Sequence, residues 1–483
     1  MEPIQILKKN ESELILIADI FLLEKIKTYF SVRVPNAFFT PRFKKTGWDG
    51  KISFLKKNTL SYGFLFELIK YLKLNDYPYK IDFTYRNKLD EEKINNFISS
   101  LDLPFKVFDY QIDNFKKILE YSKISIELPT GAGKTVIIYL LTQYFLNKKI
   151  LIIVPRIDLL EQMFSDFKKY RFKDQENYVF CKYTGEDFDE NKNIYISTWQ
   201  SVYKLDDDFF KQFDILIIDE AHNIHGKELQ KISKMSSNAL FKVGFSGTFG
   251  LNKSYEWFNE LAGIGPIYRS VDYKKLQELK QIPLFKIKVV VLKYSQKTIS
   301  EFYRTVGKNF HREQDFINNL TERNAFLVNI AKQFSKNTIF LFTFKEKHGK
   351  VLYRLIKESK ITKKLFYIDG DVVPEERIKT KELIENNDNV VGLASFGVFS
   401  EGVSVRNIHN IVLASNYKSR IKILQAIGRS LRTHETKQTA VIYDIVDDFQ
   451  SDIYKNYSMK HLARRIKIYK EKNIPFEIVK AKL

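Results

Sequence analysis

One cysteine, Cys181, stands in a chain of 483 residues, so no disulfide framework can brace it and a reducing compartment is expected. The seven histidines are scattered, without a zinc-like Cys/His spacing. No apolar run approaches the roughly 18 residues of a membrane helix, so no membrane partner is expected. The start, MEPIQILKKNESELILIADIF, carries acidic residues early and lacks a small-residue cleavage site, so it does not read as a secretion signal. Low-complexity segments and demonstrable repeats are missing as well. Acidic charge is the remaining shortage: 58 Asp and Glu against 79 Lys and Arg leave a formal net charge of +21. A lysine-rich, codon-driven composition accounts for part of that excess, since Ile, Asn, Phe and Tyr are abundant too. The remainder favours a polyanion partner, of which nucleic acid is the usual one.

What is present fits a globular chain of two or three domains, with 44% hydrophobic and 28% charged residues. From about residue 100, short β-branched runs (ISIEL, ILIIVP, IYIST, DILIIDE, FKVGFSGT) alternate with helical patterns such as DYQIDNFKKILEYS. A second series follows: NTIFLFTF, KLFYID, NVVGLAS, NIVLAS and AVIYDIV. Alternation of this kind predicts βαβ units and parallel sheets, hence an α/β fold with two such domains. The stretch around Pro283 reads as their connector. Residues 1 to about 90 mix strand and helix without a phosphate loop and read as a separate small α+β domain. The expected division is 1–95, 96–284, 285–450, and a basic C-terminal extension at 451–483.

The strongest local signal is LPTGAGKT, Leu128 to Thr135, between a strand and a helical run. A glycine-rich turn there aims backbone N–H groups and a helix N-terminus at phosphate oxygens. Pro129, Thr130, Gly131, Ala132 and Gly133 would form the cradle, Lys134 would reach the β- and γ-phosphates, and Thr135 would ligate Mg²⁺. Leu128 occupies the position where the strict pattern has glycine. Asp219 and Glu220, in DEAH after the strand DILII, suit a metal and a general base beside that phosphate. By itself DEAH reads more readily as a solvated helix start; the upstream phosphate loop reverses that weighting.

LPTGAGKT, DEAH, Ser246-Gly247-Thr248 and QAIGRSLR occur in this order and together resemble the motor core of superfamily-two helicases, over about residues 105–450. The resemblance implies tandem RecA-like domains that hydrolyse ATP with Mg²⁺. It implies that Gln111 reads adenine, that Gly402 touches nucleotide, and that His222, Ser246 and Thr248 couple hydrolysis to domain movement. Gln425, Arg429 and Arg432 resemble the sensor glutamine and arginine fingers; planar guanidinium groups suit the developing charge on a γ-phosphate. Strand contacts are implied for Pro155, Arg156, Thr198, Trp199, Gln200, Thr343, Phe344, Ser395 and Phe396. Ser430, Leu431 and Ser404 depart from the residues many relatives carry, which loosens the strand-contact assignments more than the ATPase.

The N-terminal stretch FFTPRFKKTGWDGKISFL, Phe38 to Leu55, narrows the family further. It resembles the N-terminal domain of phage UvsW-type helicases, and STWQS, SFGVFSEGVSVRNIH, IVLASNYKSRIKILQAIGRSLRTH and YDIVDD extend that likeness along the chain. The family implies a largely monomeric recombination and repair enzyme moving 3′ to 5′. It would act in the host bacterial cytoplasm on forked, branched and single-stranded DNA and on RNA–DNA hybrids. Two readings of Phe38 to Leu55 stay open. One is a β-hairpin whose aromatics Phe38, Phe43, Trp48 and Phe54 build a small core around turns at Gly47 and Gly50. The other is a DNA element, with Arg42, Lys44, Lys45 and Lys51 on phosphates and Trp48 or Phe43 stacking on a base. An RNA helicase or transcript-release factor with the same motor is the alternative function.

Overall fold

The computed structural model describes residues 2–182, 189, 191–401, 405–417, 420–430, 437–451 and 454–483. Its contacts group the chain into two compact units: Met1–Leu128 with Gly133–Ser270, and Pro129–Ala132 with Val271–Leu483.

The first unit opens with a four-stranded mixed sheet in the order Thr59–Ser61, Glu13–Ile17, Ile4–Lys8, Tyr79–Ile81. The first two pairings are antiparallel and the third is parallel. Period-two alternation puts Ile4, Ile6, Leu14 and Leu16 wholly inside. Helices Ile20–Tyr29 and Leu65–Leu74 supply Leu22, Ile26, Leu68 and Leu72 to the same core. That core does not end with the N-terminal segment: Trp257, Phe258 and Leu261, from helix Tyr255–Gly263, complete it. Phe54 stacks on Phe258 at 5.5 Å between ring centroids and 12° between planes. Gly63 lets the backbones meet, since a Cβ there would lie 3.0 Å from the Gly265 nitrogen and closer still to the Leu261 carbonyl oxygen.

Phe38 to Leu55 is not a simple hairpin. Its strand Lys51–Ser53 pairs antiparallel with Ser31–Arg33, but a 3-10 turn, Ala37–Phe39, and a helix, Pro41–Thr46, lie between them. The reason is local. The Thr40 side chain accepts from the Phe43 N–H at 3.3 Å, Pro41 occupies the first turn, and Gly47 at φ +64° ends the helix.

The rest of the first unit is a seven-stranded sheet in the order Ile267–Arg269, Lys123–Glu127, Phe241–Ser246, Ile215–Asp219, Ile150–Val154, Ile194–Thr198, Val179–Lys182, with every neighbour parallel. Strands 150–154 and 194–198 are buried throughout, which is why they read as continuous apolar runs and not as alternation.

The second unit carries its own seven-stranded parallel sheet, ordered Lys364–Ile368, Val390–Ser395, Thr338–Phe342, Asn410–Leu413, Thr439–Asp448, Leu284–Lys293, Phe476–Lys482. The basic C-terminal stretch thus builds helix Tyr457–Glu471 and the sheet's edge strand. Two buried ion pairs brace it. Arg323 Nε donates to Asp447 at 2.7 Å, and Arg465 Nε to Asp444 at 2.8 Å. The guanidinium groups also donate to the Ala414 and Tyr417 carbonyls, so these desolvated charges are paired and hydrogen-bonded. No helix among the described residues is long and apolar enough to cross a membrane.

Candidate nucleotide site and nucleic-acid interface

The phosphate loop leaves strand Lys123–Glu127 and enters helix Lys134–Tyr144 at its N-terminus. Gly131 and Gly133 adopt φ +89° and +72°, the left-handed conformations that glycine accepts without strain. Lys134 and Thr135 open the helix and are partly exposed. Gln111 is buried, its side-chain amide against Gly133, while its Oε1 accepts from the Phe108 N–H at 3.0 Å.

Strand Ile215–Asp219 delivers the carboxylates on the same sheet. Lys134 Nζ lies 3.4 Å from Glu220 Oε1 and 4.0 Å from Asp219 Oδ1. Glu220 sits at φ +48°, ψ +46°, a backbone state that a non-glycine residue holds only where its surroundings impose it. Burial raises the Asp219 carboxyl above the usual range, against the pull of Lys134. Burial also works on Glu220, but the Lys134 charge and the His222 hydrogen bond overcome it and hold that carboxyl well below the usual range. Asp219 Oδ1 is buried without a hydrogen-bond partner. A buried carboxylate oxygen without a hydrogen bond is a hard-oxygen donor that fits Mg²⁺, and the Thr135 hydroxyl at the helix start is of the same donor type. Among the described residues no cluster of three or more His, Cys, Asp or Glu forms a cage for a metal. A cation here would therefore draw its remaining ligands from phosphate and water.

Behind the carboxylates runs a short relay. His222 Nδ1 is 3.3 Å from Glu220 Oε2 and 2.9 Å from Ser246 Oγ. Ser246 Oγ in turn accepts from the Thr248 N–H at 3.1 Å and lies 2.8 Å from the Thr248 carbonyl oxygen. His222, Ser246 and Thr248 are all buried. Two further carboxylates, not singled out in the sequence, hold the loop beyond. Glu127 accepts from the Phe249 N–H at 3.1 Å, and both Glu260 oxygens accept from the Gly250 N–H. Glu127 had a visible signal, a charge inside an apolar strand just before the phosphate loop; Glu260 had none.

The residues expected on nucleic acid are dispersed. Pro155 and Arg156 follow strand Ile150–Val154, and Arg156 pairs with Asp158 at 2.7 Å. Thr198 ends strand Ile194–Thr198, and Trp199 and Gln200 follow it. Gln200 is exposed, Thr198 Oγ1 bonds Ser201 Oγ at 2.8 Å, and Trp199 packs on the sheet's core. In the second unit Thr343 is exposed after strand Thr338–Phe342 and Phe344 is partly buried; Ser395 ends strand Val390–Ser395, and the buried Phe396 opens the next helix. Gln425 is partly buried on helix Arg420–Ser430. Gly402, Arg432 and the Arg429 side chain lie outside the described residues.

In the N-terminal segment Arg42, Lys44 and Lys45 are exposed. Trp48 is not an open stacking face. The Arg42 guanidinium covers its ring at 4.6 Å, and its indole N–H donates to the Lys51 carbonyl at 2.5 Å.

A phosphate cradle and a carboxylate pair at the ends of two parallel strands, with strand Phe241–Ser246 between them and a second parallel-sheet unit following, define a tandem RecA-like, ATP-hydrolysing nucleic-acid motor. Comparison with known proteins narrows that class. Residues 104–251 match the "Type III restriction enzyme, res subunit" model and residues 322–434 the "Helicase conserved C-terminal domain" model. Residues 4–82 match "DNA helicase UvsW, N-terminal". The ATP-dependent DNA helicase uvsW of Enterobacteria phage T4 is 31% identical over 482 residues, 94% of each chain. The crystal structure of T4 UvsW covers all of both chains at 29% identity with a TM-score of 0.52. The DNA 3'-5' translocase XPB2 of Sulfurisphaera tokodaii is 25% identical over 402 residues, 74% of this chain and 86% of its own. The chain belongs to the UvsW family and is an ATP-dependent DNA helicase.

Proposed function

We propose that this helicase remodels branched DNA: it migrates junctions, regresses forks, removes R-loops and reanneals strands, as a monomer moving 3′ to 5′ in the host cytoplasm. The observation that carries this reading is a basic cleft of about 830 Å³ in the first unit, where the N-terminal segment meets the motor sheet. Arg42, Lys51, Lys56, Lys57 and Lys234 are among the cations that line it, and they outnumber the two lining acids, Glu11 and Glu13. A concave cationic surface grips phosphates without reading bases, as a substrate defined by shape requires.

In the motor, Lys134 would hold the β- and γ-phosphates and Glu220 would take a proton from the attacking water. Gln111 would read adenine, and Thr135 and Asp219 would hold Mg²⁺, which when bound neutralises phosphate charge. Gln425, Arg429 and Arg432 would complete the site, and His222, Ser246 and Thr248 would report its state to the strand-gripping residues.

The test is strand displacement on forks, four-way junctions and R-loops of defined polarity, with single-stranded RNA as an ATPase competitor. Branched DNA should be processed with 3′ to 5′ polarity, and Lys134→Ala should lose DNA-stimulated ATP turnover by at least ~10²-fold. Stimulation by RNA alone would favour a transcript-directed enzyme.

A further inference from the structure

The N-terminal segment holds an aromatic feature that the motor chemistry does not use. Phe39 is 74% exposed and its neighbour Phe38 51%. The turn that carries them is held firmly. Val34 donates to the Gly50 carbonyl at 2.8 Å, Ala37 to Val34 at 3.2 Å, and Phe39 to Asn36 at 3.0 Å. Thr40 closes it with backbone and hydroxyl bonds to the Ala37 carbonyl, and Ala37 itself is buried. Phe38 buttresses the outer ring: it meets Phe39 edge-on at 6.3 Å and Phe43 at 5.6 Å, with the Arg33 guanidinium 5.8 Å above it. The backbone therefore presents Phe39 to solvent on a rigid support.

The surroundings are as informative as the ring. Between Ser31 and Leu55 the cations are Arg33, Arg42, Lys44, Lys45 and Lys51, all exposed, and the one acid is Asp49. Asp49 is engaged in its own turn, accepting from the Lys51 N–H at 2.9 Å. A solvent-facing ring on a fixed turn, bordered by cations, combines the two features that single-stranded nucleic acid requires: a stacking face and phosphate contacts. An apolar protein partner would gain nothing from that border.

We propose that Phe39, backed by Phe38, is a stacking platform for an unpaired nucleobase of the DNA substrate, with Arg42, Lys44 and Lys45 on the flanking phosphates. Trp48 and Phe43 then serve as its supports. This rests on the branched-DNA reading but makes a separate claim.

The experiment uses the full chain and forks carrying 2-aminopurine at successive unpaired positions beside the branch. Saturating wild-type protein should change the fluorescence at one or two positions. Phe39→Ala should abolish that change and weaken fork and single-strand binding roughly tenfold, the scale of one lost base stack. Blunt-duplex affinity and the melting temperature should stay put, and Phe39→Trp should restore the signal. Unchanged fluorescence and affinity in Phe39→Ala, or an equal loss on blunt duplex, would overturn the proposal. Wild-type protein that fails to displace strands from forks while still stacking a base would overturn the branched-DNA reading instead.

Discussion

Glu260 brings both carboxylate oxygens to one backbone donor, the Gly250 N–H, at 3.0 and 2.9 Å. Gly250 lies two residues beyond Thr248, at the end of the relay that starts on Glu220. Glu260 sits on helix Tyr255–Gly263, whose Trp257, Phe258 and Leu261 belong to the core of the N-terminal segment. One helix therefore touches both the core of the N-terminal segment and the loop behind the carboxylate pair.

That carboxyl gives a pH-dependent prediction. Burial pushes the Glu260 pKa from 4.5 up to about 8; the Gly250 N–H opposes the shift and Glu127 adds to it. Between these values the folded chain holds a proton that the unfolded chain has released, so stability is fully present below about 4.5 and declines as pH rises toward 8. Glu260→Gln, which keeps an acceptor for Gly250 and cannot ionise, should remove this decline. Thermal melts of the two proteins should converge near pH 5 and separate by several degrees in favour of Gln at pH 8.5.

Ser246 joins His222 to Thr248 through one hydroxyl. Ser246→Ala should leave ATP turnover within about threefold of wild type while strand displacement falls by about an order of magnitude. Parallel turnover and displacement assays on one forked substrate check this; equal losses in both would place Ser246 in hydrolysis itself.

Arg42 lines the basic cleft, and Lys44, two residues on, is exposed like it. If each holds one phosphate, the double change to Ala should lower the slope of log K against log salt by about 1.8 on duplex arms. Fluorescence anisotropy across a salt series measures it, and an unchanged slope assigns both residues to structure.

Gly63 is where the N-terminal segment meets the backbone of Leu261 and Gly265. Gly63→Ala forces a methyl against immobile main-chain atoms and should destabilise that junction by about 3 kcal/mol or more. Limited proteolysis should then release a fragment near residue 90, with the motor fragment retaining nucleotide binding.

How far the sequence reaches differs by element. LPTGAGKT and DEAH could be placed between strand and helix because glycine at a turn and carboxylates after a β-branched run are local requirements. The two parallel sheets followed from runs such as ILIIVP, whose burial on both faces removes alternation. Phe38 to Leu55 was harder. Alternating Lys51–Ser53 suggested a hairpin, while the start signal Thr40-Pro41 and the stop at Gly47 made a helix. Glu260 was silent because its partner, Gly250, is reached only through the fold. The basic C-terminal stretch hid an edge strand, since a parallel strand takes its place from distant neighbours on Leu284–Lys293.

By itself, then, the sequence determined the motor: the residue types, their order along the chain and the strand or helix each one ends or begins. Those depend on backbone conformations set within a few residues, and on a family likeness carried by the same short motifs. Tertiary structure alone decided that Trp48 is covered and Phe39 presented, that one helix serves both the N-terminal core and the loop behind the ATP site, and that Arg465 braces a sheet and does not face solvent. The first turns on packing within one short segment and the other two on groups that lose water to partners farther along the chain, and desolvation is a property of the packed molecule.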